Sequence, residues 1–148
     1  MNKNQKVKLL TQDLIGRQLY GLKFQCVNSH GKTVIQTLET VIGIGNGIYK
    51  VQGNKEVVDI DNCLPFLFPY KCSEETVEIG GRVINILDVL SEEDIIFVQH
   101  RDTWIRTWEY DIIDYTRYFD VLDQFHIDYR GLIRANLAIE INKSNNPY

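Results

Sequence analysis

Apolar and polar positions alternate from residue 17 onward: Tyr20, Leu22, Phe24 and Cys26 fall on one face, and Lys23 and Gln25 on the other. That period of two predicts a half-buried strand. Asn28-Ser29-His30-Gly31 is turn chemistry, and Thr33 to Ile44 is rich in β-branched residues, so the two segments should pair as a hairpin. Gly45-Asn46-Gly47 tolerates positive φ, Ile48 to Gln52 returns as a strand, Gly53-Asn54 turns again, and Glu56 to Ile60 closes the run. Four short strands with tight turns predict an antiparallel meander. Twisted strands with one apolar face can cover it by curling into a small SH3-like barrel, and barrel and open sheet both remain open at this point.

Met1 to Lys8 is polar and reads as a frayed lead-in, followed by a short helix over Leu9–Ile15 with Thr11 as N-cap and Gly16 as its stop. Beyond the meander, Asn62 to Tyr70 contains Pro65 and Pro69. Proline lacks a ladder donor, so this stretch is expected at a sheet edge or as an extended connector. Thr76–Ile79 and Arg82–Ile86 read as extended around Gly80-Gly81, Ile86–Leu90 as one helical turn, Glu92-Glu93-Asp94 as a solvated loop, and Ile95–Trp108 as a strand pair or one long bent strand.

The period then turns helical. Tyr115, Tyr118, Phe119, Leu122 and Phe125 form a stripe opposite Arg117, Asp120, Asp123 and Gln124, predicting an amphipathic helix near Ile113–Phe125. A second short helix is predicted over Tyr129–Ala135, ending at Asn136 in a left-handed cap, with Ala138–Ile141 leaving as a strand. The fold class is α+β: an N-terminal antiparallel meander packed with one or two C-terminal helices. A chain of 148 residues fits one domain, comprising a β-meander part over 9–70, a mixed strand and helix part over 71–141, and a polar tail over 142–148.

Composition narrows the function classes. With 44% apolar and 24% charged residues the chain can bury a core. A net charge of −4 gives no general grip on phosphate backbones, so nucleic-acid binding would need a local patch. Cys26, Cys63 and Cys72 include no CxxC pair, which fits free thiols in a reducing cytoplasm. No apolar run is long enough to span a bilayer, and no membrane association is expected.

Two groups of words carry a resemblance. Asp13-Leu14-Ile15-Gly16 and Cys63-Leu64-Pro65-Phe66-Leu67-Phe68-Pro69 come first. Phe125-His126-Ile127-Asp128-Tyr129-Arg130-Gly131-Leu132-Ile133 and Leu137-Ala138-Ile139-Glu140 follow. In this order they resemble a set of small proteins encoded by phages and prophages of Bacteroidetes-type bacteria, a group without an assigned activity. The resemblance implies a phage origin and the cytoplasm of an infected or lysogenic bacterium. Where the group carries glycine this chain has Asn136, which suits the same left-handed cap.

Candidate chemistry is sparse. His30, His100 and His126 show no metal-ligand spacing, and no GxSxG, Walker-type or HExxH motif occurs, so neither metal nor cofactor is implied. His126 with Asp128 could set an imidazole beside a carboxylate as a base, although a histidine at a helix end commonly serves packing and electrostatics. The most suggestive stretch is His100, Arg101, Trp104, Arg106 and Trp108. In a strand, His100, Trp104, Arg106 and Trp108 share a face that can stack on a base or pair with a phosphate or an acidic partner. The competing account buries the tryptophans in the core and pairs the arginines with Asp102, Glu109 or Asp111. Glu74, Glu75, Glu92, Glu93, Asp94, Asp111, Asp114, Asp120 and Asp123 could form a negative surface for a basic groove, or simply solvate loops and a helix face.

The first expectation is therefore a non-enzymatic phage accessory protein that binds a host protein or a small signalling molecule, with a role against bacterial defence among the possibilities. A nucleic-acid-associated SH3-like module is the second, and an enzyme of unfamiliar type using His126 and Asp128 the third.

Overall fold

The first helix starts where the sequence looks least helical. In the computed structural model, which describes residues 1–73, 75–85 and 118–148, α1 runs over Lys3–Arg17. Asn2 Oδ1 accepts the Gln5 N–H at 2.9 Å, and Gln5 Oε1 accepts the Asn2 N–H at 2.9 Å. This capping box satisfies two donors that a helix start otherwise leaves orphaned, and so recruits the polar lead-in into the helix. Thr11 is inside α1 and not at its cap: its hydroxyl donates to Val7 O at 2.7 Å. Gly16 does not stop the helix, which ends against Gln18.

The buried face of α1 carries Leu10, Thr11, Asp13, Leu14 and Arg17. Asp13 and Arg17, one turn apart, are both fully buried, and they bond twice, Nε to Oδ2 and Nη2 to Oδ1, each at 2.9 Å. Arg130 Nη1 adds a third bond to Asp13 Oδ1 at 3.1 Å. The Tyr129 ring lies under both guanidinium groups, 4.4 Å from Arg130 and 5.7 Å from Arg17, so its negative face meets both cations.

The meander follows the sequence closely. Strands β1 (Lys23–Val27), β2 (Thr33–Gly45), β3 (Ile48–Gly53) and β4 (Val57–Asp59) pair antiparallel in succession. Asn28 Oδ1 accepts the N–H groups of His30 and Lys32 and shapes the first turn. Gly45, Asn46 and Gly47 all take positive φ at the second. The third turn is held by Gln36, which is 1% exposed. Its Oε1 accepts from the Lys55 and Glu56 N–H groups at 3.1 and 3.0 Å, and its Nε2 donates to Cys26 Sγ at 3.2 Å. Gly53 passes directly over that side chain, where an added Cβ would stand 2.8 Å from Gln36 Cδ and closer still to Oε1.

A 3₁₀ turn (Ile60–Asn62) leads to β5 (Leu64–Pro69), which the two prolines were expected to push to an edge. Instead β5 is internal. It pairs antiparallel with β1 through Phe24–Pro65 and Gln25–Leu64, and parallel with β9 (Ile139–Glu140) through Phe66–Ile139 and Leu67–Glu140. Both prolines sit near the strand's ends, so Phe66 and Leu67 are free to supply the second ladder. Among the described residues the strand path β4-β3-β2-β1-β5 is open, with no ladder closing it into a barrel. Leu14, Leu22, Phe24, Val51, Leu67 and Leu132 are sealed from solvent in one core between α1 and this sheet.

Two corrections concern the C-terminal segment. No helix forms over Tyr129–Ala135. Bonds from Ala135 N to Gly131 O, Asn136 N to Ile133 O and Leu137 N to Leu132 O make a single closed turn, with Asn136 at φ 58 as the expected left-handed cap. Nor is the tail over 142–148 merely solvated. Tyr148 Oη accepts the Lys23 N–H at 3.0 Å and donates to Phe66 O at 3.1 Å, and its ring stacks on Phe68.

The chain divides into two compact units, Met1–Pro69 with Asp128–Tyr148, and Tyr70–Ile127. In the second, the two segments expected to be extended are β6 (Thr76–Ile79) and β7 (Arg82–Asn85), which pair antiparallel as a hairpin with Gly80 and Gly81 at φ 61 and 78. The Tyr70 and Tyr118 hydroxyls lie 2.7 Å apart. Residues 118–124 are helical, with Tyr118 and Leu122 buried as expected. The outer-face assignment fails for Asp123, which is buried, and Phe125 leaves the apolar stripe, being 46% exposed. The helix is already closing there: His126 N bonds to Asp123 O, and His126 takes φ 59, which turns the chain away. Ile127–Asp128 (β8) follows. The segments expected at Ile86–Leu90, Glu92–Asp94 and Ile95–Trp108, and the first part of the helix at Ile113–Phe125, lie outside the described residues.

Three outcomes follow. Asp13→Ala leaves Arg17 buried without its carboxylate and should cost about 3–5 kcal/mol in urea unfolding, while Asp13→Leu with Arg17→Met should cost less than that single change. Gly53→Ala should cost about 2 kcal/mol or more, because Gln36 must give up its bonds to Lys55 and Glu56; added to Gln36→Ala, it should cost much less than it does alone. The third concerns alkali. Burial pushes the Cys63 thiol from 9.0 up to about 12, with Cys26, Asp59 and Asp61 adding to it. Burial likewise pushes Tyr148 from 10.0 up to about 12, against the Lys23 amide and Arg17. The fold holds both groups neutral, so their contribution is whole below the unfolded values and is lost as pH climbs through the folded ones. The thermal midpoint should hold to about pH 9 and fall towards pH 12, and Tyr148→Phe should lessen the fall. A fall unchanged by that substitution removes the tyrosine from the account.

Candidate functional site

A groove of about 730 Å³ lies between α1 and the β2–β3 hairpin. It exists because β2 is far longer than β1. β1 accompanies β2 only from Thr33 to Thr37, after which β2 runs on with β3 as an overhanging hairpin tip. Lys3, Val7, Lys8, Gln12 and Ile15 of α1 form one wall; Asn46 to Tyr49, with Ile60 and Asp61, form the other.

Apolar surface comes from Val7, Ile15, Ile48, Tyr49 and Ile60, of which Ile15 and Ile48 are about half exposed. Asn4, Gln12 and Asn46 add amides. Lys3 Nζ reaches Asp61 Oδ2 at 3.1 Å across one end, a solvent-exposed pair that contributes little to stability. Lys8 stands at the rim, exposed. The Thr11 hydroxyl is engaged by Val7 O and gives the groove no free nucleophile. The described lining contains no histidine or cysteine; it offers apolar contact, amide hydrogen bonds, two lysines and the Asp61 carboxylate.

Of the residues singled out in the sequence as candidate chemistry, none that is described lines this groove. His100, Arg101, Trp104, Arg106 and Trp108 all lie outside the described residues, as do Glu74, Glu92, Glu93, Asp94, Asp111 and Asp114. Of the remaining acidic positions, Glu75 and Asp120 are exposed and Asp123 is buried. His126 is buried at the helix end with left-handed backbone. Asp128 is occupied with structure: Oδ1 accepts the Leu132 N–H at 2.7 Å and Oδ2 the Ile133 N–H at 2.8 Å. Burial raises its pKa; the Ile133 and Leu132 amides and the Arg17 charge pull it down, while Asp13 pushes it further up. A carboxylate so engaged orients a turn.

The groove could not be read from the sequence, because its residues come from a helix, a hairpin tip and a short turn that are distant in the chain. The one local signal was Gly45-Asn46-Gly47, which marked the tip without saying what faces it. Among the described residues no group of three or more histidine, cysteine, aspartate or glutamate side chains is placed to hold a metal ion, and no helix is long and apolar enough to cross a membrane. Comparison with family models, with curated proteins and with solved structures gives no match.

Proposed function

We propose that the chain is a non-catalytic binding protein that holds a small ligand, apolar in its body and anionic at one end, in the groove between α1 and the β2–β3 hairpin. The observation that carries the reading is the lining: isoleucines and a tyrosine, ringed by amides, with Lys3 and Lys8 against a single carboxylate, Asp61. A volume of about 730 Å³ lies within the range of small-molecule sites, which are mostly apolar with a few placed polar groups. Both walls are regular elements of one packed unit, so little ordering would be required of the protein on binding. The resemblance to phage and prophage proteins adds a setting, in which the ligand would be a small signalling molecule of the host.

The test is an amide NMR titration of the full chain with anilinonaphthalene sulfonate, a probe with the stated chemistry. Shifts should concentrate at Asn4, Lys8, Gln12, Gly47 and Ile48. Lys8→Glu should weaken binding about fivefold, on the order of 1 kcal/mol for one charge contact near a surface, and Ile48→Asp should weaken it further without disturbing the rest of the spectrum. Shifts spread over the surface, or saturation that leaves those residues unmoved, would sink the proposal.

A further inference from the structure

The core holds a second chemical feature, independent of the groove. Phe24 stands opposite Pro65 and Gln25 opposite Leu64 across β1 and β5. Antiparallel pairing counts up one strand as it counts down the other, so the next pair in this register is Cys26 opposite Cys63. Cys26 is in β1, and Cys63, just before β5, is extended at φ −100 and ψ 131. Pro65 has no N–H, and the Cys63 N–H is bonded to Ile60 O at 3.1 Å. Both Phe24–Pro65 and Cys26–Cys63 are therefore non-hydrogen-bonded pairs, the type in which facing Cα atoms approach to about 4.5 Å with side chains on the same face. A disulfide accepts Cα separations of about 4.4–6.8 Å. Both side chains point into the same core cluster, at 2% and 1% exposure.

We infer that Cys26 and Cys63 are a latent cross-strand disulfide site, which a two-electron oxidant of the peroxide or diazene class closes without unfolding the sheet. Two S–H bonds break and one S–S bond forms. The electron pair and both protons pass to the oxidant, reducing hydrogen peroxide to two waters or a diazene to its hydrazine. Closure gives up the Gln36 Nε2 bond to Cys26 Sγ and the weak contact from Cys63 Sγ to Asp59 O at 3.6 Å. Because burial holds the Cys63 thiol far above neutrality, its thiolate is scarce at pH 7, so closure is slow there and quickens in alkali. Cys72, exposed, is expected to react before either.

The full chain carrying Cys72→Ser is treated with diamide at mildly alkaline pH, and again in urea below the unfolding transition, where local opening admits the reagent. The expected product is a monomer whose unreduced digest contains the Cys26 peptide joined to the Cys63 peptide. Its amide spectrum keeps native dispersion, and its thermal midpoint lies above that of the reduced chain. Two thiols that still alkylate after denaturation, under both conditions, would overturn the inference. So would a crosslinked product that has lost the native spectrum.

Discussion

Two charges buried without access to water constrain this fold more than any apolar contact does. Desolvating Asp13 and Arg17 costs several kcal/mol each, and that is tolerable only because two short bonds join them and Arg130 supplies a third. An apolar helix face can slide over a sheet with gradual loss of contact. This face cannot, because a shift of one turn would leave a carboxylate or a guanidinium alone in the core. The ion cluster therefore sets the phase of α1 and at the same time ties the segment around Arg130 to the start of the chain. Asp13 and Arg130, far apart in the sequence, meet at this place, and nearby Asp128 holds the Leu132 and Ile133 amides.

What was legible in the sequence is what depends on neighbours along the chain. The alternation through Leu22, Phe24 and Cys26, and the turns at Asn28–Gly31, Gly45–Gly47 and Gly80-Gly81, mark strands and reversals locally, and all of them are found. Asn136 was identifiable as a left-handed cap from its residue type alone. The misreadings share one cause, a polar or proline residue satisfied by something distant or unexpected. Asn2 and Gln5 extend a helix that apolar periodicity would start at Leu9. Pro65 and Pro69 sit at the ends of an internal strand whose middle does the pairing. Tyr148 anchors a tail of polar residues by one hydroxyl set between Lys23 N and Phe66 O. Over Tyr129–Ala135 the apolar spacing is helical, but Asp128 captures the amides at Leu132 and Ile133, and the turn closes at once.

The groove was illegible for a different reason. It arises from a mismatch in length, since β2 outruns β1 and its surplus pairs only with β3. No periodicity reports that α1 comes to stand opposite that surplus. The overhanging hairpin carries Ile42, Ile44 and Ile48, all substantially exposed, which a sequence reading can only score as ordinary strand residues. Whether such a residue faces core, solvent or groove is decided by what stands opposite, here α1, whose phase the ion cluster sets.

The same geometry bears on the kind of work the groove can do. Its titratable lining groups are Lys3, Lys8, Tyr49 and Asp61, and Lys3 is already held by Asp61. General acid–base catalysis needs a donor or acceptor whose proton affinity lies near the working pH and whose position is fixed within hydrogen-bond reach of the substrate. Exposed lysine side chains move freely on long stems, and Asp61 is already engaged by one of them. The two histidine–carboxylate partners proposed from sequence are elsewhere, with Asp128 committed to backbone amides. A concavity so lined can recognise shape, apolar area and negative charge.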